Sequence, residues 1–265
     1  MPVIPHAFCA ASNIVSELIS AVMLIINADD WGCSREATDI MVACFDKGRI
    51  TSASGMVFMD DSERAADLAK RYDLDVGLHV NFTHEFTAKN VPVRLHESQD
   101  RIARFLTRNK YAQLLYNPAL RREFRYVYQA QAEEFLKLYG TRPSHFDGHR
   151  HMHLCTNMLV DAFIPAGGRV RRSFSFWPGE KSVINRAYRS LVDWRLARSY
   201  RLTDFFFSLL QCLNNNRLGR VTELARIGKV ELMTHPMVSD EHAFLISDEW
   251  ENALKNLRTV PYSSL

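Results

Sequence analysis

Five polar residues alternate through the stretch HFDGHRHMH: His145, Asp147, His149, His151 and His153. Imidazole nitrogens and carboxylate oxygens are the donors that an ion such as Zn²⁺ takes at about 2.0–2.2 Å, and a catalytic centre of that kind keeps one position open for water. In an extended strand, residues two apart share a face but advance about 6.6 Å, so five side chains cannot reach one ion. At most two ligate. The others are expected as pocket wall, as proton-transfer groups, or as partners that hold imidazole tautomers by hydrogen bonds. Further ionisable residues stand at the ends of other apolar runs: Asp29 and Asp30 after MLII, His79 in DVGLHV, and His235 closing VELMTH. Singly, each has a plainer explanation. Paired aspartates cap helices, a histidine at a strand end meets solvent, and His235 precedes Pro236. Their shared placement at strand ends is what points to chemistry.

The elements that must position these residues follow from periodicity. The runs at 23–26, 75–80 and 230–235, with a fourth at or beside SHFDGH, read as short buried strands. Between them, 35–47 carries Ala37, Ile40, Met41, Cys44 and Phe45 on one helical stripe, with Gly48 as a stop. Residues 62–72 repeat the pattern behind a cap at Asp60, Asp61 or Ser62, and 121–139, closed by Gly140, is the clearest helix. Strands alternating with helices predict an α/β fold with a parallel sheet or barrel. In a (β/α) barrel the C-terminal strand ends converge on one mouth, where active sites of that fold lie. Residues 84–118 contain NVPVRLHESQD and YNPAL and read as an irregular excursion near one barrel end; 165–181 reads as a second loop-rich insertion.

Composition narrows the function classes. A chain of 265 residues with 47% hydrophobic content fits one barrel domain, and a net charge of +3 is too balanced for a nucleic-acid footprint. Five cysteines form an odd set without a CxxC pair, which indicates neither a disulfide framework nor a cysteine zinc site and favours a reducing, cytoplasmic setting. Residues 1–22 contain no Lys or Arg and do not read as a signal peptide. No apolar run approaches the ~18 residues of a membrane span.

The motifs together resemble a known family. NADDWG resembles the NADDFG opening of the YdjC-like (ChbG/HpnK) carbohydrate deacetylases, VGLHVNFT their GLHxxLT, PSHFDGHRHMH their P-x-H-x-D-x-H-x-H-x-H, and VELMTHP their late E-x-M-x-HP, in the same order. The resemblance implies a distorted (β/α) barrel of the NodB-like glycoside hydrolase/deacetylase type. It also implies metal-dependent hydrolysis of N-acetyl groups on an amino sugar, oligosaccharide or lipid-linked glycan. On it, Asp29 is the general base, Asp30, His79 and His149 hold one divalent ion (Mg²⁺ or Zn²⁺), and His235 is the acid. Asp147, His151, His153 and Trp31 are then expected along the pocket or behind the ligands. Because the resemblance starts at Met23, residues 1–22 read as an extension, not native to the domain, and 23–265 as a single deacetylase domain.

Three departures stand out: Met237 follows His235-Pro236 where the family often has Gly, FTHEF replaces its usual Gly and Pro, and LTDFFFSLL matches only loosely. The alternatives are a metal-dependent phosphoesterase, which needs further bridging carboxylates, and a non-catalytic glycan-binding barrel, which has no need of both Asp29 and His235. The expected partner is an N-acetylated sugar, with no nucleic acid and no transmembrane segment; a homodimer is compatible with the sequence. The basic run Arg186, Arg189, Arg195, Arg198 and Arg201 reads first as one solvated helix face, with an anionic glycan or peripheral membrane contact as the alternative.

Overall fold

A computed structural model describes residues 22–265, so the extension reading of 1–22 lies, Val22 apart, outside the described residues. Six strands run parallel in one sheet: β1 (Met23–Trp31), β2 (Ser52–Gly55), β3 (Val76–Val80), β4 (Phe146–Gly148), β5 (Phe205–Ser208) and β6 (Lys229–Thr234), in spatial order β4-β3-β2-β1-β6-β5. The sheet curls, and residues 169–175 bridge its two edges. Phe146 N–H donates to Arg169 O and Arg171 N–H to Phe146 O on the β4 side, while Ser175 N–H donates to Phe206 O on the β5 side. The result is the expected distorted barrel.

Helices α1 (Arg35–Asp46), α2 (Ser62–Tyr72), α3 (Val93–Thr107), α4 (Arg121–Tyr139), α5 (Thr156–Asp161), α6 (Val183–Ala197), α7 (Leu209–Asn214), α8 (Leu218–Leu224), α9 (Ser239–Leu245) and α10 (Asp248–Leu254) make up the crossovers and the C-terminal region. Local chemistry sets their ends. Ser34 Oγ accepts from Ala37 N–H at the start of α1, and Gly140, at φ 72°, closes α4 with its N–H on Leu136 O.

The run MLII looks uniformly buried but serves two surfaces, because alternate side chains of a strand point to opposite faces. Leu24, Ile26 and Ala28 join the main core beneath the helices. Met23 and Ile25 turn into the barrel and pack on Val260, Tyr262 and Leu265 from the C-terminus. Asn27 and Asp29 continue that inner row, so the barrel has an apolar plug below and polar groups above.

Three expectations need correction. Residues 84–118 are not uniformly irregular: α3 lies within them and buries Leu95, Ile102, Phe105 and Leu106, a helical stripe hidden among polar residues. Strands β2 (SASG) and β5 (FFFS) were not expected. SASG has no apolar alternation because Ser54 faces a polar barrel interior. Finally, HFDGHRHMH is extended only to Gly148; His149–Leu154 forms a 3-10 segment in which Arg150 (φ 52°) and His151 (φ 58°) are left-handed. The odd-numbered histidines therefore do not share a strand face.

Gly77 on β3 shows how tightly the interior is filled. A Cβ there would lie 2.4 Å from the His145 ring, which stacks on Tyr262 with centroids 3.9 Å apart and cannot retreat. Gly77→Ala is expected to cost about 1–3 kcal/mol, the usual range for overpacking. The check is urea unfolding, with a lower midpoint at unchanged slope.

Candidate active site

At the C-terminal end of β1 the backbone does something unusual. Asp30 adopts φ 69°, and the pairing of β1 with β2 slips between Ala28 and Trp31. Adjacent strand residues ordinarily point to opposite faces. The left-handed turn, which aspartate tolerates better than most residues, instead brings both carboxylates to the barrel mouth.

Asp30 meets two imidazoles there. Its Oδ1 lies 2.9 Å from His149 Nδ1 and 3.2 Å from His79 Nε2. One ligand atom from each of Asp30, His79 and His149 falls within 4.8 Å of the others. Bonds of 2.0–2.1 Å at tetrahedral angles separate ligand atoms by about 3.3 Å, so the spacing suits one ion. His79 gives a second test. Its Nδ1–H donates to Asp147 Oδ1 at 2.9 Å, which sets Nε2 against the Asp30 oxygen. A bare nitrogen lone pair facing a carboxylate is repulsive, so a proton or a cation must sit between them. Burial opposes charge on His79, yet Asp147, Asp29 and Asp30 hold its imidazole up to about 10. Burial likewise opposes ionisation of Asp30, but hydrogen bonds from His149 and His79 keep it below the usual carboxylate range. The donor set fits one metal ion.

Behind this trio lies a buried charge network that sequence reasoning missed. Arg171 NH1 and NH2 donate to Asp29 Oδ2 and Oδ1 at 2.7 Å each; NH1 also reaches Asp147 Oδ2 and Nε reaches Glu231 Oε1, both at 2.7 Å. Tyr262 Oη–H donates to the other Glu231 oxygen at 2.9 Å. Burial raises Asp29 and Asp147, but the guanidinium outweighs it and both stay below their ordinary values. Glu231 is pushed by burial to about 7 despite Arg171. Asp29, His79 and Asp147 also lie close enough to hold an ion, but Arg171 already supplies the cation between the two carboxylates. With both carboxylates so engaged, the bridging-carboxylate requirement of a two-metal phosphoesterase is not met by them. Asn27 Nδ2 steadies Asp29 Oδ1 at 3.0 Å, and Ser54 Oγ–H donates to Asp147 Oδ2 at 2.7 Å.

His235 lies on the outer side of Asp30, its Nε2 4.0 Å from Asp30 Oδ2 and its side chain partly exposed. Glu241 backs it from α9. Its Oε2 accepts from Thr234 Oγ1–H at 2.7 Å and His235 N–H at 2.9 Å, leaving Oε1 4.0 Å from His235 Nδ1. No motif marked Glu241 or Arg171; each is one acid or arginine among several in its segment, and only the fold turns it inward.

The remaining histidines of the stretch do not join the trio. His145 lies deeper, 3.1 Å from Ser54 Oγ, and His153 donates through Nε2 to Arg171 O at 3.0 Å, bracing the loop that carries the guanidinium. His151 packs edge-on against Phe174 at 4.5 Å. Burial depresses all three, His145 and His153 to about 4 and His151 to about 3. Trp31 is fully buried and packs in the main hydrophobic core. His84, from FTHEF, stands beside His149 at 5.4 Å between ring centroids.

Comparison with known proteins places this arrangement. The profile of the YdjC-like protein family matches residues 23–260. A carbohydrate deacetylase of Clostridium beijerinckii is 35% identical over 242 residues, covering 89% of this chain and 90% of that protein. A chitooligosaccharide deacetylase of Serratia marcescens is 31% identical over 149 residues, 55% of this chain, and the match spans only 57% of the Serratia protein. A solved structure of an Enterococcus faecalis protein, assigned to cellobiose-phosphate cleavage, superposes with a TM-score of 0.65 at 18% identity over 92% of this chain and 98% of that one; it speaks for the fold alone. The family match covers nearly the whole barrel and every residue gathered at its mouth, and on that ground the chain belongs to the YdjC-like protein family.

Proposed function

We propose that this chain, as one domain over 23–265, is a metal-dependent carbohydrate N-deacetylase that hydrolyses the acetamide of an amino sugar, oligosaccharide or lipid-linked glycan. The observation that carries the reading is the meeting of Asp30, His79 and His149 at one barrel mouth, with Asp29 next to them and His235 on the exposed side. Deacetylase relatives that cover most of the chain support it. Asp30, His79 and His149 would hold one divalent cation, Zn²⁺ or Mg²⁺, which when bound polarises the amide carbonyl and acidifies water.

The chain's own residues do the rest. Arg171 and Asn27 hold Asp29 ionised and in one orientation, so that it accepts the proton of the attacking water. A carboxylate held that far below neutrality is a base only towards a strongly acidified donor. His235, braced by Glu241, delivers a proton to the departing sugar nitrogen, because an amine anion is an untenable leaving group. The four cysteines among the described residues are free, which supports a reducing, cytoplasmic setting; no described helix is long and apolar enough to cross a membrane.

The test is acetate release from N-acetylated mono- and oligosaccharides. Chelation should abolish release, and Zn²⁺ or Mg²⁺ should restore it; sugar binding without release would leave only a glycan-binding barrel. To hold the ion, His79 Nε2 would have to give up its proton. That proton stabilises the metal-free chain fully below the ordinary histidine value of 6.5 and is lost as pH climbs to about 10. Metal affinity should therefore rise about tenfold per pH unit across that window, with one proton released per ion in unbuffered titration.

A further inference from the structure

Helix α6 is packed oddly for a helix of 15 residues: it buries only Val192 and Leu196. The opposite side is apolar and open to solvent. Ile184 is 83% exposed, Leu191 60% and Trp194 57%. With Ala187 these residues recur at i, i+3, i+7 and i+10, a single stripe along the helix. Arginines join it. Arg195 and Arg198 are both exposed beside the stripe, and the Arg198 guanidinium lies 5.0 Å from the centre of the Trp194 ring. The helix has one acid, Asp193, and it is turned inward onto Arg172 and the Ser173 N–H. The outward face is thus apolar and cationic, with no carboxylate.

We propose that this face of α6 docks the protein on an anionic phospholipid surface. An interfacial helix buries an apolar stripe at the headgroup boundary and places arginines against lipid phosphates, and tryptophan and arginine are the side chains suited to that boundary. Charge decides against the other occupants. Two copies meeting across a twofold axis would set these arginines against their own images. Residues 1–21 contain a single acid, Glu17, and offer little to offset them. The proposal is independent of the deacetylase reading.

The experiment is co-sedimentation of the full chain with vesicles of phosphatidylcholine alone and of phosphatidylcholine with phosphatidylglycerol, at low and high salt. Binding is expected only to the mixed vesicles, with a blue shift of Trp194 emission that Trp194→Phe removes. High salt should weaken it. Arg195→Gln and Arg198→Gln should each cost about fivefold in affinity, and Leu191→Ser more, all with unchanged circular dichroism and melting because the residues touch no core. No binding at low salt, or binding indifferent to these substitutions, overturns the proposal. So does a dimer that Leu191→Asp disperses, or Trp194 shielded from acrylamide in the free chain, since either shows the face already covered.

Discussion

Asp29→Asn is expected to leave metal content near that of the parent chain while lowering acetate release by roughly 10² to 10⁴, the usual contribution of a positioned general base. Both Asp29 oxygens are engaged by Arg171 and one also by Asn27, so the side chain belongs to the network behind the trio. An amide there keeps one acceptor oxygen and loses the basic one. Asp30→Asn should do the opposite. Asp30 Oδ1 faces both His79 and His149, so losing its charge should empty the site, and excess metal should partly restore activity. Metal analysis beside acetate release decides the matter. Restoration by metal in the Asp29 variant, with none in the Asp30 variant, would mean that the two roles are reversed.

The second large effect is on stability. Arg171→Met strands three buried carboxylates, Asp29, Asp147 and Glu231, without their shared cation. Breaking one side of a buried ion pair costs about 3–5 kcal/mol, and the variant should unfold at much lower urea at neutral pH. The pH dependence should weaken. In the parent chain Asp29 and Asp147 lie below their unfolded values, so their stabilisation is present above the ordinary carboxylate value of 3.8 and is lost as pH falls through the folded values. Without the guanidinium, burial is opposed chiefly by His79 and both groups move up, so the variant should lose less stability than the parent on mild acidification. Glu231 is already at about 7 beside Arg171 and takes up a proton without it, so adding Glu231→Gln should change the urea midpoint little. Equal urea midpoints for Arg171→Met and the parent would show that the network carries no stability.

The catalytic candidates were legible because each ends an apolar run or sits in a dense histidine motif. Asp29, Asp30, His79, His149 and His235 are all at the barrel mouth, where strand ends of a (β/α) fold converge. The helices 62–72 and 121–139 were legible to the residue, since amphipathic spacing and the Gly140 stop are local signals. Helix α3 was lost among turn residues, and SASG carried no strand signal because its serines face a polar interior. Spacing alone allowed at most two of the five in HFDGHRHMH to ligate without saying which, and it was the resemblance that pointed to His149. The left-handed turn at Arg150 and His151 divides them, sending His149 to Asp30 and His153 to the Arg171 carbonyl.

What the sequence determined by itself was the α/β alternation, the family and the residue types available for chemistry, all of which are written in spacing along the chain. What only the tertiary structure decided was which of them share a charge. Arg171 lies 142 residues from Asp29, and Glu231 a further 60 residues beyond Arg171. Their pairing depends on a loop closing the gap between β4 and β5 and on a C-terminal plug that brings Tyr262 to Glu231. Long-range electrostatics leaves no periodic trace in a sequence, because a buried cation needs only to arrive at the right place, from any position along the chain.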